Sequence, residues 1–248
     1  MRINKFLAES GVASRRGADK LIEEGRVKLN GKTLTAVGCE IDPERDTITV
    51  DGKKIKPLNR YTYIMFNKPK GCVTTFDDSK DKGRIEGEKP ESKRKTVYDY
   101  LKDVNKRLVP VGRLDYDSEG LLLFTNDGDM VYKLTHPANQ IPKTYQVTIE
   151  GHPSQSDIEK LRNGVVLDDG VKTGHAMVTL TGQDDKYSKL EITIFEGKNR
   201  EIRRMLQAVG YNVTLLRRKA IGDLKLGGLA RGTYRYLTDK EIKYLKKL

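Results

Sequence analysis

The sequence predicts an α+β protein of two domains, in which a small α/β module precedes a larger domain with a mostly antiparallel sheet. With 248 residues, the chain is long enough for two separate hydrophobic cores. Its elements are short before the stretch 57–60 and longer after it. Strand-like segments outnumber helices in the longer part and do not alternate with them, which favours antiparallel strands over repeated βα units.

The first domain is predicted to span residues 1–58. Ser14 is placed to cap a helix, and Gly25 is typical of a helix end. Between them lies an apolar stripe at helical spacing, formed by Ala18, Leu21 and Ile22. The segments RVKLNGKTL and TITVDGKKI each predict two short strands about an Asn-Gly or Asp-Gly turn.

The second domain is predicted to span residues 59–248. It opens with YTYIMFNK, a strand that Pro69 ends. Helices are predicted over 156–163 and over 199–209, the second of them stopped by Gly210. The other strands are predicted in the segments GLLLFTN, TYQVTIE, AMVTLTG, KLEITIF and NVTLLRR.

The stretch 77–95 differs from the rest of this domain, since 13 of its 19 residues are charged and Ile85 is its one large apolar residue. Such a segment cannot bury enough surface to order itself. We predict a mobile loop rather than a domain boundary, because strand-like sequence resumes after it.

Charge composition favours a polyanionic partner. Lys and Arg total 47 against 35 Asp and Glu, which gives a net charge of +12. A membrane surface is the competing interpretation, but no long amphipathic basic helix stands out. No stretch approaches the roughly 20 apolar residues that span a bilayer. The opening MRINKFLAES lacks a signal-peptide core, so we predict a cytoplasmic protein without a membrane partner.

The cysteines and histidines predict neither a disulfide scaffold nor a metal site. Cys39 and Cys72 are too few for such a scaffold, and their separation fits no zinc-ligand spacing. The histidines form no HxxxH or HxH pair. We therefore expect no bound metal ion.

Basic side chains cluster on the helix that Ser14 begins and on the hairpin after it. They are Arg15, Arg16, Lys20, Arg26, Lys28 and Lys32. A row of guanidinium and ammonium groups can follow phosphates, although a solvated helix face explains the same pattern. The pattern MRINKFLAESGVASRRGADKLIEEGRVKLNGK closely resembles the S4 family over about residues 1–50. S4 domains bind structured RNA, so the resemblance implies that these six residues contact RNA.

The segment VGRLDYDSEGLLLFTNDGDM, residues 111–130, places a carboxylate in a turn before a buried strand. Asp115 could stand at the wall of a cleft there, or it could cap the turn through its side chain. Asp117 is an equal candidate on these grounds.

The string GRLDYDSEGLLLFTNDG closely resembles the central motif of the RsuA/RluB family of ribosomal RNA pseudouridine synthases. The resemblance implies that Asp115 is the catalytic residue. Downstream, KTY and EGKNREIRRM resemble two further motifs of the family. They imply that Tyr145 lies against the target base and that Arg203 pairs with Asp115. Arg113 and Leu206 are expected to contact the substrate.

Helix phasing bears on the last of these motifs. An apolar stripe at helical spacing is formed by Ile202, Met205, Leu206 and Val209. Arg203 lies on the edge of this stripe, where it could reach a partly buried carboxylate. Arg200 and Arg204 are predicted to point outward, which would leave them free to bind phosphates.

The resemblance implies an isomerase that converts a uridine of ribosomal RNA to pseudouridine. An arginine partner favours the ionised aspartate that this reaction needs. No redox or hydrolytic step occurs, so we expect no cofactor. We expect a monomer, and we favour large-subunit over small-subunit ribosomal RNA as its target. The alternative from a different class is a non-catalytic RNA-binding protein that assists ribosome assembly.

Overall fold

The computed structural model divides the chain into two units. The first comprises Met1–Thr62 with the short segments Asn105–Val109 and Asn126–Gly128, and the second comprises the rest. Its described residues are 1–58, 60–75, 94–104 and 106–248. The predicted mobile loop 77–95 lies outside them except for Arg94 and Lys95. The predicted domain bounds, 1–58 and 59–248, stay a prediction.

The first unit contains two helices and a four-stranded antiparallel sheet in the order β2-β1-β3-β4. Its elements are α1 Ile3–Glu9, α2 Arg15–Glu23, β1 Val27–Leu29, β2 Lys32–Thr33, β3 Ile48–Val50 and β4 Lys53–Lys54. As predicted, the Ser14 hydroxyl caps α2 by accepting a hydrogen bond of 2.9 Å from the backbone N–H of Gly17. Both turn pairs, Asn30-Gly31 and Asp51-Gly52, have the positive φ that type I′ hairpins require.

From Tyr63 onward the chain forms nine strands and four α-helices within the described residues. The strands are β5 Tyr63–Lys68, β6 Val109–Pro110, β7 Glu119–Thr125, β8 Lys143–Glu150, β9 Ala176–Gln183, β10 Tyr187–Ile194, β11 Val213–Ile221, β12 Leu224–Lys225 and β13 Tyr234–Tyr236. The helices are α3 Gly128–Thr135, α4 Gln155–Asn163, α5 Glu201–Ala208 and α6 Asp239–Lys247. None of the described helices is long and apolar enough to cross a membrane.

Seven of these strands form the main path of one sheet in the order β13-β5-β7-β11-β8-β10-β9. Neighbours on this path are antiparallel except β7 and β11, which run parallel. The α+β class with a mostly antiparallel sheet is therefore confirmed. Strand β7 is buried at all seven of its residues, so it forms the centre of the core.

Helices α3 and α6 cover part of the sheet. Met130 and Leu134 of α3 and Leu245 of α6 pack into a core cluster with Met65 and Leu123 of the central strands. Neither helix was among the predicted elements. The signal for α6 is nonetheless present, because Thr238 and Glu241 form a capping box at its start.

The parallel pair β7–β11 depends on Gly120. Its φ is +103, and a Cβ at this position would overlap the backbone carbonyl oxygen of Arg218 on β11. We predict that Gly120→Ala lowers the free energy of unfolding by at least about 1–3 kcal/mol, because neither the backbone conformation nor the space suits a side chain. Denaturant titration measures the change.

Gly182→Ala on β9 is the matched control, since a Cβ there meets no atom within 4 Å. The Gly182→Ala substitution should leave the free energy of unfolding nearly unchanged. Equal stability of the Gly120→Ala and Gly182→Ala proteins would show that β7 and β11 are not closely packed.

Candidate active site

The turn that carries Asp115 is held by a buried cation. The backbone N–H of Ser118 donates to the carbonyl oxygen of Asp115 at 3.1 Å, which closes the turn before β7. Lys68, at the end of β5, is 0% exposed, and its ammonium donates to the carbonyl oxygens of Asp115 at 2.8 Å, Ser118 at 2.9 Å and Pro69 at 3.2 Å. Burial lowers the pKa of Lys68, while nearby carboxylates oppose that shift.

A cavity of about 260 Å³ opens beside this turn. Its polar lining includes Arg113, Asp115, Lys143, Tyr145, Glu201 and Arg218. Ile194, Ile202, Leu216 and Ile221 provide apolar wall. The predicted residues Asp115, Tyr145 and Arg113 therefore meet at one site, with Arg113 the most exposed of the three. A small cavity with apolar walls and a few convergent polar groups is typical of a ligand site.

Tyr145 and Arg218 are direct neighbours across the antiparallel pair β8–β11. Tyr145 is 8% exposed and Arg218 is 3% exposed. The Arg218 guanidinium donates from Nε to the carbonyl oxygen of Leu121 at 2.7 Å, and its Nη1 lies 3.5 Å from the Tyr145 hydroxyl. Arg218 is thus fixed by backbone of β7 and faces the tyrosine.

Lys143, at the start of β8, adds a second cation to the cavity. Its ammonium donates to the carbonyl oxygens of Ile141 at 3.1 Å and Glu196 at 3.4 Å. Burial, reinforced by the nearby Arg218, lowers the pKa of Lys143. Among the described residues, no group of three or more His, Cys, Asp and Glu side chains is arranged to hold a metal ion. The side chains of Lys143 and Arg218 on this wall are suited to donate hydrogen bonds to acceptor oxygens of a ligand.

The arginines of the α5 region pair differently from the prediction. The Nε of Arg203 lies 3.2 Å from a carboxylate oxygen of Asp117, and its Nη2 donates to the Asp117 carbonyl oxygen at 3.0 Å. Arg200 approaches Asp115 at 3.8 Å and forms two hydrogen bonds to the Asp117 carboxylate. The predicted ion pair of Arg203 with Asp115 is therefore corrected, because the turn directs the Asp117 carboxylate toward α5.

Two carboxyl groups anchor the loop that carries Arg200. The Glu196 carboxylate accepts from the backbone N–H of Gly174 at 2.7 Å and contacts the ammonium of Lys198. Glu201 accepts from the backbone N–H of Lys198 at 2.8 Å. Burial and a hydrogen bond to Glu196 raise the pKa of Glu201, which favours its protonated form. A neutral Glu201 can then donate a hydrogen bond to Glu196.

Two further predictions for α5 need correction. Leu206 is fully buried in the protein core and does not line the cavity, while Ile202, one turn earlier, does. Arg204 is not free for phosphate, because its Nε donates to Asp168 at 2.6 Å and its Nη2 lies 2.7 Å from Asp169. Arg200 is likewise engaged by carboxylates in this structure.

The basic residues of the first unit are exposed, as a surface for RNA requires. They are Arg15, Arg16, Lys20, Arg26, Lys28 and Lys32. Arg26 differs from the others, because its guanidinium holds both oxygens of Asp51 and one of Glu24. The predicted contact of Arg26 with RNA is therefore not supported in the free protein, where the carboxylates of Asp51 and Glu24 occupy the donors of its guanidinium.

Sequence reasoning gave no role to three cations of the second unit, Lys68, Lys143 and Arg218. The first two stand inside segments that were noted for other reasons, YTYIMFNK and KTY. A signal for Lys68 was available, since it ends a strand that is otherwise apolar except for Asn67. Arg218 gave no such signal, because Arg217 beside it and Lys219 after it are equally basic.

Comparison with known proteins finds matches for both parts of the chain. Family models match residues 62–208, described as RNA pseudouridylate synthase, and residues 1–45, described as S4 domain. The chain is 41% identical over 249 residues to ribosomal large subunit pseudouridine synthase B of Bacillus subtilis, covering 100% of this chain and 96% of that relative. It is 36% identical over 250 residues to dual-specificity RNA pseudouridine synthase RluF of Escherichia coli, covering 100% and 79%.

A solved structure, a crystal structure of pseudouridylate synthase, matches with a TM-score of 0.67 at 31% identity and covers 99% of both chains. Sequence and fold thus agree over almost the whole chain, from the S4 domain through the unit that contains the cavity. The chain belongs to the RNA pseudouridylate synthase family and is an isomerase that acts on RNA, with an S4 domain at its N-terminal end.

Proposed function

We propose that this enzyme isomerises a uridine of large-subunit ribosomal RNA, with Asp115 as its catalytic residue, and that it works as a cytoplasmic monomer. The convergence of Asp115 and Tyr145 on one cavity is the observation that carries the assignment of the site. The target rests on the full-length similarity to the Bacillus subtilis protein named as a large-subunit synthase.

The cavity suits the chemistry of this isomerisation. The N1–C1′ bond of uridine breaks, the uracil turns, and C5 forms a bond to C1′. The proton on C5 then leaves and N1 takes up a proton, so that the product is an isomer of uridine. Asp115 either attacks the nucleoside or takes a proton from the sugar, and its position in the lining of the cavity suits both routes. The Tyr145 ring offers the freed base an aromatic surface while it rotates.

Extrusion of the target nucleotide leaves a gap in the RNA that a side chain must fill. Arg113 is exposed at the cavity and stands two residues before Asp115. We assign it to this gap. Arg200 and Arg203 act through Asp117, whose pKa is lowered by hydrogen bonds from Arg200 and by the charges of both arginines against the opposing effect of burial. They are positioning residues that fix the turn.

The S4 unit, which is the first unit of the chain with its S4 domain, provides affinity for structured RNA. Its exposed Arg16 and Lys20 lie one helical turn apart on α2, so they can meet successive phosphates along one strand. Recognition by shape and by phosphate contacts suits a folded ribosomal fragment better than a short single strand.

For the catalytic residue, we predict that Asp115→Asn lowers the single-turnover rate by about 10²–10⁴-fold or more, since an amide can neither attack the nucleoside nor accept the proton. Product formation on a structured ribosomal fragment is the measurement. Asp185→Asn, at an exposed position of the β9–β10 turn, is the matched control and should keep the parent rate. An Asp115→Asn enzyme within tenfold of the parent would remove Asp115 from this role.

For the S4 unit, we predict that Arg16→Gln with Lys20→Gln reduces the slope of log Kd against log salt by about 0.7–0.9 for each lost phosphate contact. The matched control is Arg26→Gln, whose guanidinium already holds Asp51 and Glu24. The Arg26→Gln variant should change the slope of log Kd against log salt less than the double variant does. An unchanged slope in the double variant would mean that this face of α2 does not touch phosphate.

For the target, we predict modification of a large-subunit ribosomal RNA transcript and none of a small-subunit transcript offered separately. The enzyme should prefer a folded fragment to the isolated strand that contains its uridine. Pseudouridine mapping after incubation distinguishes the two transcripts. Modification confined to the small-subunit transcript would overturn the target and leave the reaction standing.

A further inference from the structure

Arg218 has a donor that no protein group satisfies in the part of the chain that the structure describes. Its Nη2 is buried and has no hydrogen-bond partner there. The same guanidinium is 3% exposed, is held through Nε by Leu121 and lines the cavity beside Asp115 and Tyr145. Buried donors are nearly always paired, so an orphaned one at a cavity wall indicates an acceptor that arrives with the ligand.

The surroundings of Arg218 indicate what carries that acceptor. The Tyr145 hydroxyl lies 3.5 Å from Nη1, while Leu216 and Ile221 of the same strand provide apolar wall. A flat pyrimidine ring with carbonyl oxygens at its edge fits such a wall, whereas a phosphate would bury a full charge against aliphatic groups. Lys143 is a second basic side chain in the lining of the same cavity.

We propose that Arg218 is a substrate-contacting residue whose Nη2 donates a hydrogen bond to a carbonyl oxygen of the target uracil. The inference rests on the proposed function and assigns a partner to one edge of the base. When the N1–C1′ bond breaks, its electron pair stays with the uracil and is shared among N1, O2 and O4. A fixed guanidinium at one of these oxygens stabilises that anion without any rearrangement of the protein.

The rotation of uracil explains why one fixed donor serves the whole reaction. A half turn about the axis through N3 and C6 exchanges N1 with C5 and O2 with O4. The oxygen position that Arg218 meets before the turn is therefore occupied by the other oxygen afterwards. Because Nε is tied to Leu121 on the central strand β7, the guanidinium does not need to follow the base.

The test combines a protein substitution with an atomic change in the substrate. Arg218→Lys keeps the positive charge and removes the planar guanidinium group with its several N–H donors. It should therefore lower the single-turnover rate on uridine by about 10²-fold with little change in Kd for RNA. Substrates with 2-thiouridine or 4-thiouridine at the target position carry sulfur, a weaker acceptor. If Arg218 contacts an oxygen, the loss from Arg218→Lys shrinks on at least one of them.

Arg217→Lys is the matched control, since Arg217 precedes Arg218 on β11 and does not line the cavity. It should keep the parent rate. A folded Arg218→Lys enzyme, checked by its melting temperature, that keeps the parent rate overturns the inference. An equal loss of rate from Arg218→Lys on uridine and on both thiouridine substrates also overturns the inference.

The parent protein provides a measurement that needs no variant. It should convert at least one thio substrate more slowly than uridine by roughly tenfold, the worth of one good hydrogen bond. Equal parent rates on uridine and on both thio substrates overturn the contact while the proposed function stands. A parent that forms no pseudouridine in any ribosomal transcript overturns the proposed function and this inference with it.

Discussion

The buried ammonium group of Lys68 is the constraint on which the cavity depends. A charge removed from water is costly unless hydrogen bonds replace its hydration, and here three backbone carbonyl oxygens do so. Two of them belong to the first and last residues of the turn that carries Asp115. Movement of that turn would leave the ammonium with the Pro69 carbonyl oxygen alone. The free-energy cost of a poorly hydrogen-bonded buried charge therefore holds the turn in place.

The second constraint is the register of three adjacent strands. Arg218 stands opposite Tyr145 in the antiparallel pair β8–β11 and opposite Gly120 in the parallel pair β7–β11. The turn of Asp115 leads directly into β7. Backbone hydrogen bonds therefore set the spacing between carboxylate, tyrosine and guanidinium, and the absence of a side chain at Gly120 permits the close approach of β7 to β11.

Local patterns explain how much of this was predictable. Hairpin turns, the Ser14 cap and the helical stripe of α5 are determined within a few residues, and each was predicted from sequence. Helix phase also identified Arg203 as turned toward the carboxylates. Phase cannot tell Asp115 from Asp117, however, because the choice depends on how the turn between them is folded. Arg218 escaped prediction for the same reason, since its role comes from strand pairing across distant segments.

The protonation of Glu201 completes the electrostatics of the cavity. Formal charges would set two lining carboxylates, Asp115 and Glu201, against the cations, but burial and the hydrogen bond to Glu196 raise the pKa of Glu201 and favour its neutral form. The basic side chains of the wall, Lys143 and Arg218, are then opposed by less negative charge than the sequence implies. Such a cavity favours a leaving group that carries negative charge, which is the electronic state of uracil between the breaking of one bond to the sugar and the making of the next.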